Sequence, residues 1–177
     1  MLTLVIGPSR SGKSEWAEVL ARRSGKAVIY IATAQPNPQD LEWSARLELH
    51  RDRRDPSWHL VEVPLALSDA IARVDPCHYV LVDALGTWVA NCLEQTDQVW
   101  QDCLEEFLTV ATSFDGDLTL VAEEVGWGVV PEYISGRIFR DRLGRLTRCL
   151  GAIAAQVYLV TGGHVLRLDL LGERLNS

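Results

Sequence analysis

The sequence has few cysteines, no surplus of positive charge and no long apolar run. Its four cysteines, which are Cys77, Cys92, Cys103 and Cys149, are too far apart for a zinc knuckle or a C-x-x-C redox motif. Such scattered thiols indicate a reducing compartment. The apolar start at residues 2–6 is too short for a signal peptide and no segment has the length of a membrane span, so we expect a cytoplasmic protein. The formal net charge of -7 disfavours a general binder of nucleic acid.

The length of 177 residues and the apolar share of 47% predict one domain, residues 1–177. Nearly continuous apolar runs, typical of strands covered on both faces, alternate with helical patterns. The predicted strands are residues 2–6, 28–32, 79–82, 118–122, 157–160 and, as a short extra strand, 165–168. The predicted helices are residues 13–23, 40–53, 65–73, 98–113 and 133–154. This order predicts an α/β fold with a mostly parallel central sheet and helices on both faces.

A glycine-rich segment between the first strand and the first helix matches G-x-x-x-x-G-K-[ST] in full. Its residues are Gly7, Pro8, Ser9, Arg10, Ser11, Gly12, Lys13 and Ser14. Backbone N–H groups and the positive end of a helix converge there, so we expect the segment to bind the phosphates of a nucleoside triphosphate, in a P-loop NTPase-like fold. Lys13 would reach the outer phosphates and Ser14 would offer its hydroxyl to Mg²⁺. The strand–loop–helix context disfavours a chance match to the motif. The partner of Arg10 is open: it could contact a phosphate or pair with a carboxylate elsewhere in the chain.

A second carboxylate is expected at the end of a neighbouring strand, because a phosphate loop that uses Mg²⁺ usually needs one. Asp83 directly follows the run at 79–82, while Glu123 and Glu124 follow the run at 118–122. Asp83 could instead be the N-cap of a helix that starts near Gly86. The strand-end position favours Asp83, together with Ser14, as the magnesium site.

His50 lies in a predicted helix among four arginines, which are Arg46, Arg51, Arg53 and Arg54. So many cations near one imidazole are costly unless an anion joins them, and guanidinium binds phosphate in a fork. The cations also disfavour a protonated imidazole, and a neutral one can attack phosphorus. The alternative is a solvated helix face whose arginines pair with nearby carboxylates. Those carboxylates would be Glu42, Glu48 and Asp52.

Taken together, these motifs resemble the bifunctional adenosylcobinamide kinase / adenosylcobinamide-phosphate guanylyltransferase family of cobalamin biosynthesis. The resemblance covers nearly the whole chain. Besides the phosphate loop, the blocks that carry it are YIATA at 30–34, RLELH at 46–50, WHLVE at 58–62, LVD at 81–83, WVAN at 88–91, EVGWGVVP at 124–131 and RIFRD at 137–141.

The resemblance implies two reactions with Mg²⁺ as cofactor and with GTP and ATP as substrates. A nucleoside triphosphate first phosphorylates the aminopropanol hydroxyl of adenosylcobinamide, and GTP then transfers GMP to that phosphate and releases pyrophosphate. The resemblance implies a GMP-histidine adduct at His50 and a catalytic role for Lys13. It also implies a homo-oligomer, a trimer in which a neighbour completes the site. The further nucleotide-binding residues that it implies are Ala32, Thr33, Arg51, Asp52, Arg53, Arg54, Glu62 and Asp83.

Glu62 also has a physical rationale, since the guanine edge offers two parallel N–H donors and a carboxylate accepts both. The alternative for Glu62 is a surface residue of a strand. The side chain of Trp127 has two alternative roles: it could line a pocket for the corrin ring, or it could brace a loop. Some residues differ from the family's expected ones: Glu123 replaces an Asn, Gly86 a Thr and Ala84 a Cys. The base of the kinase step is unassigned. The competing functions are a monofunctional small-molecule kinase of this fold and a non-catalytic GTP-binding regulator.

Overall fold

The computed structural model describes residues 1–37 and 39–175, without the side chains of Arg46 and His50. Its strands are β1 (Leu2–Gly7), β2 (Val28–Ala32), β3 (His59–Glu62), β4 (Tyr79–Asp83), β5 (Asp117–Glu123), β6 (Gln156–Thr161) and β7 (His164–Arg167). Its helices are α1 (Lys13–Arg23), α2 (Leu41–Arg53), α3 (Leu67–Ala72), α4 (Leu85–Asn91), α5 (Asp97–Ser113), α6 (Ile134–Ile153) and α7 (Leu168–Leu171).

The strands form one sheet in the order β3-β2-β4-β5-β1-β6-β7. The neighbours are parallel from β3 through β6, and β7 pairs antiparallel with β6. Alternate residues of the central strands therefore face opposite sides of the sheet. Val5 packs with Ala17 and Ala21 of α1 on one side, whereas Leu4 lies in the cluster that includes Phe107 and Leu143 on the other. The predicted α/β fold, with a mostly parallel sheet and helices on both faces, is confirmed.

Three elements are absent from the predicted strands and helices, although a helix that starts near Gly86 was considered as the alternative for Asp83. The edge strand β3 has two half-buried residues between exposed residues at its two ends, so it lacks the continuous apolar run that marks the inner strands. The helices α4 and α7 have seven and four residues, too few for a helical period to stand out. The predicted bounds of β2 and α1 match the structure, and the remaining predicted elements shift by one or two residues at their ends.

The carboxyl ends of the five strands from β3 to β1 meet at one edge of the sheet. Ligands of open parallel sheets bind at this edge, where the loops that follow the strands converge. The strands end there at Glu62, Ala32, Asp83, Glu123 and Gly7, in spatial order. No helix in the described part of the chain is both long and apolar enough to cross a bilayer.

Candidate active site

The phosphate loop connects β1 to α1 in the manner that the motif predicts. Gly12 is the N-cap residue of α1 and has a φ of 91°, a left-handed conformation that glycine adopts without the Cβ penalty. No side chain among the described residues caps this helix end, so its first N–H groups remain for another acceptor. A helix start of this kind favours an anion.

Lys13 folds back over the loop and is almost fully buried, with 6% of its surface exposed. Its Nζ donates to the Pro8 carbonyl oxygen at 3.4 Å and lies 3.8 Å from Oε1 of Glu123. The carboxylate of Glu123 therefore neutralises the buried ammonium. Burial raises the pKa of Glu123, the Lys13 charge opposes that rise, and the negative charge of Asp83 adds to it.

Ser14 and Asp83 meet although they are 69 residues apart in sequence. The Ser14 hydroxyl donates to Oδ1 of Asp83 at 3.1 Å, and the Tyr30 hydroxyl donates to Oδ2 at 2.8 Å. Burial and then the Asp83 charge raise the pKa of Tyr30, which keeps this phenol a donor. A hydroxyl and a carboxylate are the oxygen donors that Mg²⁺ prefers, so the residues fit the ion. Asp83 is not the N-cap of the following helix, since that residue is Ala84.

A cavity of about 830 Å³ opens over this edge of the sheet. It brings together most of the predicted nucleotide-binding residues. Those that line it are Ser9, Arg10, Ser11, Gly12, Lys13, Ser14, Ala32, Arg51, Arg53, Arg54, Glu62 and Asp83. The residues outside its lining are Gly7, Pro8, Thr33 and Asp52. Thr33 is fully buried, and its hydroxyl donates to the Ala84 carbonyl oxygen at 2.6 Å, which makes it a brace between two strand ends.

The arginines at the end of α2 have different partners. Arg53 lines the cavity, yet its Nε and Nη2 donate to Oε1 of Glu18 at 3.0 and 2.9 Å, and its Nη1 donates to Glu15 at 3.4 Å. These carboxylates belong to α1, not to the helix face that the sequence alternative proposed. Arg54 stacks on the Tyr30 ring, with its Cζ 4.7 Å from the ring centroid. Its buried Nη1 has no hydrogen-bond partner in the described part of the chain, and burying such a donor is costly.

Several residues of helix α2 line the cavity, namely Glu42, Trp43, Ala45, Leu47, Leu49, Arg51 and Arg53. The side chain of His50 lies outside the described residues, as does that of Arg46. The backbone of position 50 lies in α2, between the cavity-lining residues Leu49 and Arg51.

Glu62 ends the edge strand β3 and pairs in register with Ala32 of β2. Its side chain is exposed at the cavity and has no hydrogen-bond partner among the residues that the structure describes. Glu62 and the phosphate loop are separated by four strand spacings, or about 19 Å. An extended nucleoside triphosphate can span a distance of this order.

Two side chains at the cavity make contacts that the sequence did not lead us to expect. Tyr30 holds Asp83, and the only sequence signal for it is a hydroxyl on an inner strand that is otherwise apolar. Glu123 had been weighed only as a rival for the metal, yet it pairs with Lys13. Trp127 is 69% exposed, in a segment that also exposes Val129 and Val130.

The family model described as "Cobinamide kinase / cobinamide phosphate guanyltransferase" matches residues 3–168, which is most of the chain. The chain belongs to this family. It is thus a member of an enzyme family of kinases and guanylyltransferases, and the resemblance seen in the motifs is confirmed.

Curated members of the cobinamide kinase / cobinamide phosphate guanyltransferase family match over almost the full length. The chain is 37% identical to the "Bifunctional adenosylcobalamin biosynthesis protein CobP" of Pseudomonas aeruginosa, over 99% of this chain and 100% of the relative. It is 35% identical to the "Bifunctional adenosylcobalamin biosynthesis protein CobU" of Escherichia coli (strain K12), over 92% and 97%. A solved structure from Pyrococcus horikoshii OT3 has a TM-score of 0.59 at 8% identity, over 99% of this chain and 91% of that one, which concerns the fold alone.

Proposed function

We propose that this protein carries out both reactions named for its family. A nucleoside triphosphate phosphorylates the hydroxyl of adenosylcobinamide, and GTP then transfers GMP to the new phosphate to give adenosylcobinamide-GDP and pyrophosphate. The observation that carries this proposal is that a phosphate loop, a Ser14–Asp83 pair and the arginine-bearing helix α2 line one cavity. The full-length match to relatives named as bifunctional supports the pairing of the two activities.

The triphosphate binds at the start of α1 in this proposal. The uncapped N–H groups of that helix and the Lys13 ammonium face the phosphates, and the unpartnered Nη1 of Arg54 supplies a further donor. Ser14 and Asp83 would hold Mg²⁺, which when bound neutralises phosphate charge. Catalysis then rests on positioning and on charge neutralisation within a partly closed cavity.

The nucleotidyl transfer uses His50 as the nucleophile in this proposal. An imidazole nitrogen attacks the α-phosphorus of GTP, the bond to the bridging oxygen of the β-phosphate breaks, and pyrophosphate leaves. An oxygen of the acceptor phosphate then attacks the same phosphorus and regenerates the imidazole. Support comes from the position of residue 50 on α2, next to the cavity-lining Arg51, and from the requirement of this chemistry for nearby cations.

Guanine selection is assigned to Glu62. Its exposed carboxylate at the far end of the cavity is free to accept the two N–H donors of the guanine edge. Adenine lacks this pair of donors and would leave the carboxylate unpaired, which costs binding energy.

The proposal is tested with GTP that is labelled at the α-phosphate. We expect a protein adduct that is stable in base, labile in acid and absent from the His50→Ala variant. GTP labelled at the γ-phosphate should leave no label on the protein. The matched control is His59→Ala, an exposed histidine at the start of β3 that should leave labelling unchanged.

The outcomes separate the competing functions. An adduct that persists in His50→Ala would remove His50 from the mechanism. Phosphorylation of adenosylcobinamide without any adduct would point to a monofunctional kinase. GTP binding with neither phosphorylation nor pyrophosphate release would identify a non-catalytic GTP-binding protein.

A further inference from the structure

Glu123 occupies a central position at the cavity floor. It is the last residue of β5, the strand that lies between β4, which ends at Asp83, and β1, which leads into the phosphate loop. Its Cα is in register with that of Gly7, the first residue of the loop. Its Oε1 lies 3.8 Å from Nζ of Lys13. Because this lysine reaches the outer phosphates in phosphate-loop enzymes, Glu123 lies at the end of the triphosphate where an acceptor must approach.

Gly86 makes room for this carboxylate. The backbone N–H of Gly86 donates to Oε2 of Glu123 at 3.0 Å. A Cβ added at position 86 would overlap Oε2 and come within 2.8 Å of Cδ, closer than a real Cβ approaches. A glycine at this position is therefore required for Glu123 to hold its conformation. One carboxylate oxygen is fixed by the backbone, and the other is directed at the phosphate end of the cavity.

The other carboxylates near the phosphates have different tasks. Both oxygens of Asp83 already accept hydrogen bonds, from Ser14 and Tyr30. Glu15 is exposed and pairs with Arg53. Glu124 does not line the cavity, although it is adjacent to Glu123 in sequence. Among the described residues, Glu123 is therefore the carboxylate best placed to act on a group that attacks the terminal phosphate.

We propose that Glu123 is the general base of the phosphoryl-transfer step. This inference rests on the proposed function, and it concerns this chain's own residues, since the family's expected residues are Asn at position 123 and Thr at position 86. The acceptor hydroxyl donates its proton to Oε1 of Glu123 while its oxygen attacks the γ-phosphorus. The bond between that phosphorus and the β–γ bridging oxygen breaks, and the nucleoside diphosphate leaves. The protonated carboxyl then returns its proton to solvent. Burial also raises the pKa of Glu123, which makes it a stronger base than an exposed carboxylate.

The test compares Glu123→Gln with Glu124→Gln in both half-reactions. Gln has nearly the shape of Glu, and its amide oxygen can still accept from the Gly86 N–H, so the fold should be retained; a melting curve checks this. We expect Glu123→Gln to lower kcat for phosphorylation of adenosylcobinamide by about 100-fold or more, the usual effect of a general base. The KM for the nucleoside triphosphate should change little. Labelling by α-labelled GTP should be retained, because that step needs no hydroxyl deprotonation. Glu124→Gln should match the parent protein in every assay.

A second variant tests the coupling between Gly86 and Glu123. Gly86→Ala should displace the Glu123 carboxylate and lower the same kcat. The double variant Gly86→Ala, Glu123→Gln should be no slower than Glu123→Gln alone, because both changes remove one interaction. The pH profile of kcat should lose its acidic limb in Glu123→Gln, which a merely structural role would leave in place.

The results that would overturn the assignment are distinct from those that overturn the function. If the parent protein phosphorylates adenosylcobinamide and Glu123→Gln does so equally fast, Glu123 is not the base. If Glu123→Gln loses both half-reactions and requires more Mg²⁺, Glu123 acts on the phosphates or the metal instead. If the parent protein forms no phosphorylated product at all, the proposed kinase activity fails, and the base assignment fails with it.

Discussion

Arg53 at the end of α2 and Glu18 in the middle of α1 form an ion pair with two hydrogen bonds, at 3.0 and 2.9 Å. The carboxylate is almost fully buried, with 2% of the side chain exposed, whereas the guanidinium is partly exposed. The pair ties the helix that carries position 50 to the helix that opens at the phosphate loop. The geometry between the proposed nucleophile and the phosphate site therefore depends on this contact.

Replacing Glu18 by Ala is expected to weaken both stability and nucleotidyl transfer. The free energy of unfolding should fall by about 1–3 kcal/mol, the range for losing hydrogen bonds to a charged group. The rate of adduct formation should fall with it, since α2 loses an anchor. Urea unfolding and α-labelled GTP measure the two effects. The control Glu15→Ala removes a more exposed partner of Arg53 and should cost less than about 1 kcal/mol. Equal costs for the two variants would contradict this account.

Asp83→Asn is expected to raise the Mg²⁺ concentration needed for half-maximal activity and to lower kcat in both reactions. The physical reason is the loss of a charged oxygen ligand beside the Ser14 hydroxyl. A magnesium titration at saturating GTP measures the change. Tyr30→Phe is the milder companion, because it removes only the donor to Oδ2 and leaves the carboxylate charge in place. An unchanged magnesium requirement in Asp83→Asn would exclude Asp83 from the metal site.

Glu62→Gln is expected to weaken the preference for guanine. The amide presents an acceptor and a donor where the carboxylate presented two acceptors, so one guanine N–H meets another donor. The KM for GTP in nucleotidyl transfer should rise by about 10-fold or more, consistent with a lost hydrogen bond to a charged group. The KM for ITP, which lacks the exocyclic amine, should change less. If GTP and ITP were affected equally, Glu62 would not contact the base edge.

The melting temperature should respond to pH through Glu123. Its pKa is raised in the folded state, so the protonated form contributes stability that is fully present below the ordinary pKa of about 4.3 and is lost as pH rises through the folded pKa. The ionised carboxylate is thus the destabilising form. The Glu123→Gln variant does not ionise at this position. The melting temperature of the parent protein should therefore fall, relative to that of Glu123→Gln, as the pH rises from about 4.3 through the folded pKa of Glu123. A constant difference between the two proteins across the interval would show that burial of Glu123 has no net effect on its ionisation.

The phosphate loop could be predicted from the sequence because all of its parts are contiguous. A strand, a turn with Gly12 in a left-handed conformation, and a helix that begins at Lys13 need only local interactions. The same holds for the position of Asp83, since the end of a buried apolar strand is visible in the sequence. The edge strand β3 was not predicted, because it has only four residues and exposes the two at its ends, so no continuous apolar run marks it.

The partners of these residues could not be predicted in the same way. Arg53 and Glu18 are 35 residues apart, Gly86 and Glu123 are 37 apart, and Tyr30 and Asp83 are 53 apart. The Gly86–Glu123 and Tyr30–Asp83 pairs meet because the strand order places β5 beside β4 and places β2 on the other side of β4, whereas the Arg53–Glu18 pair joins α2 to α1. Nothing local in the chain specifies that order.

The sequence by itself determined the family, the phosphate loop and the kind of fold, since these follow from contiguous motifs and from the apolar pattern of the strands. The tertiary structure decided which carboxylate neutralises Lys13, which helix takes up Arg53, and that Gly86 accommodates Glu123. The reason is physical: hydrogen bonds and close packing act over a few ångströms between side chains, and the folding of the sheet sets those distances.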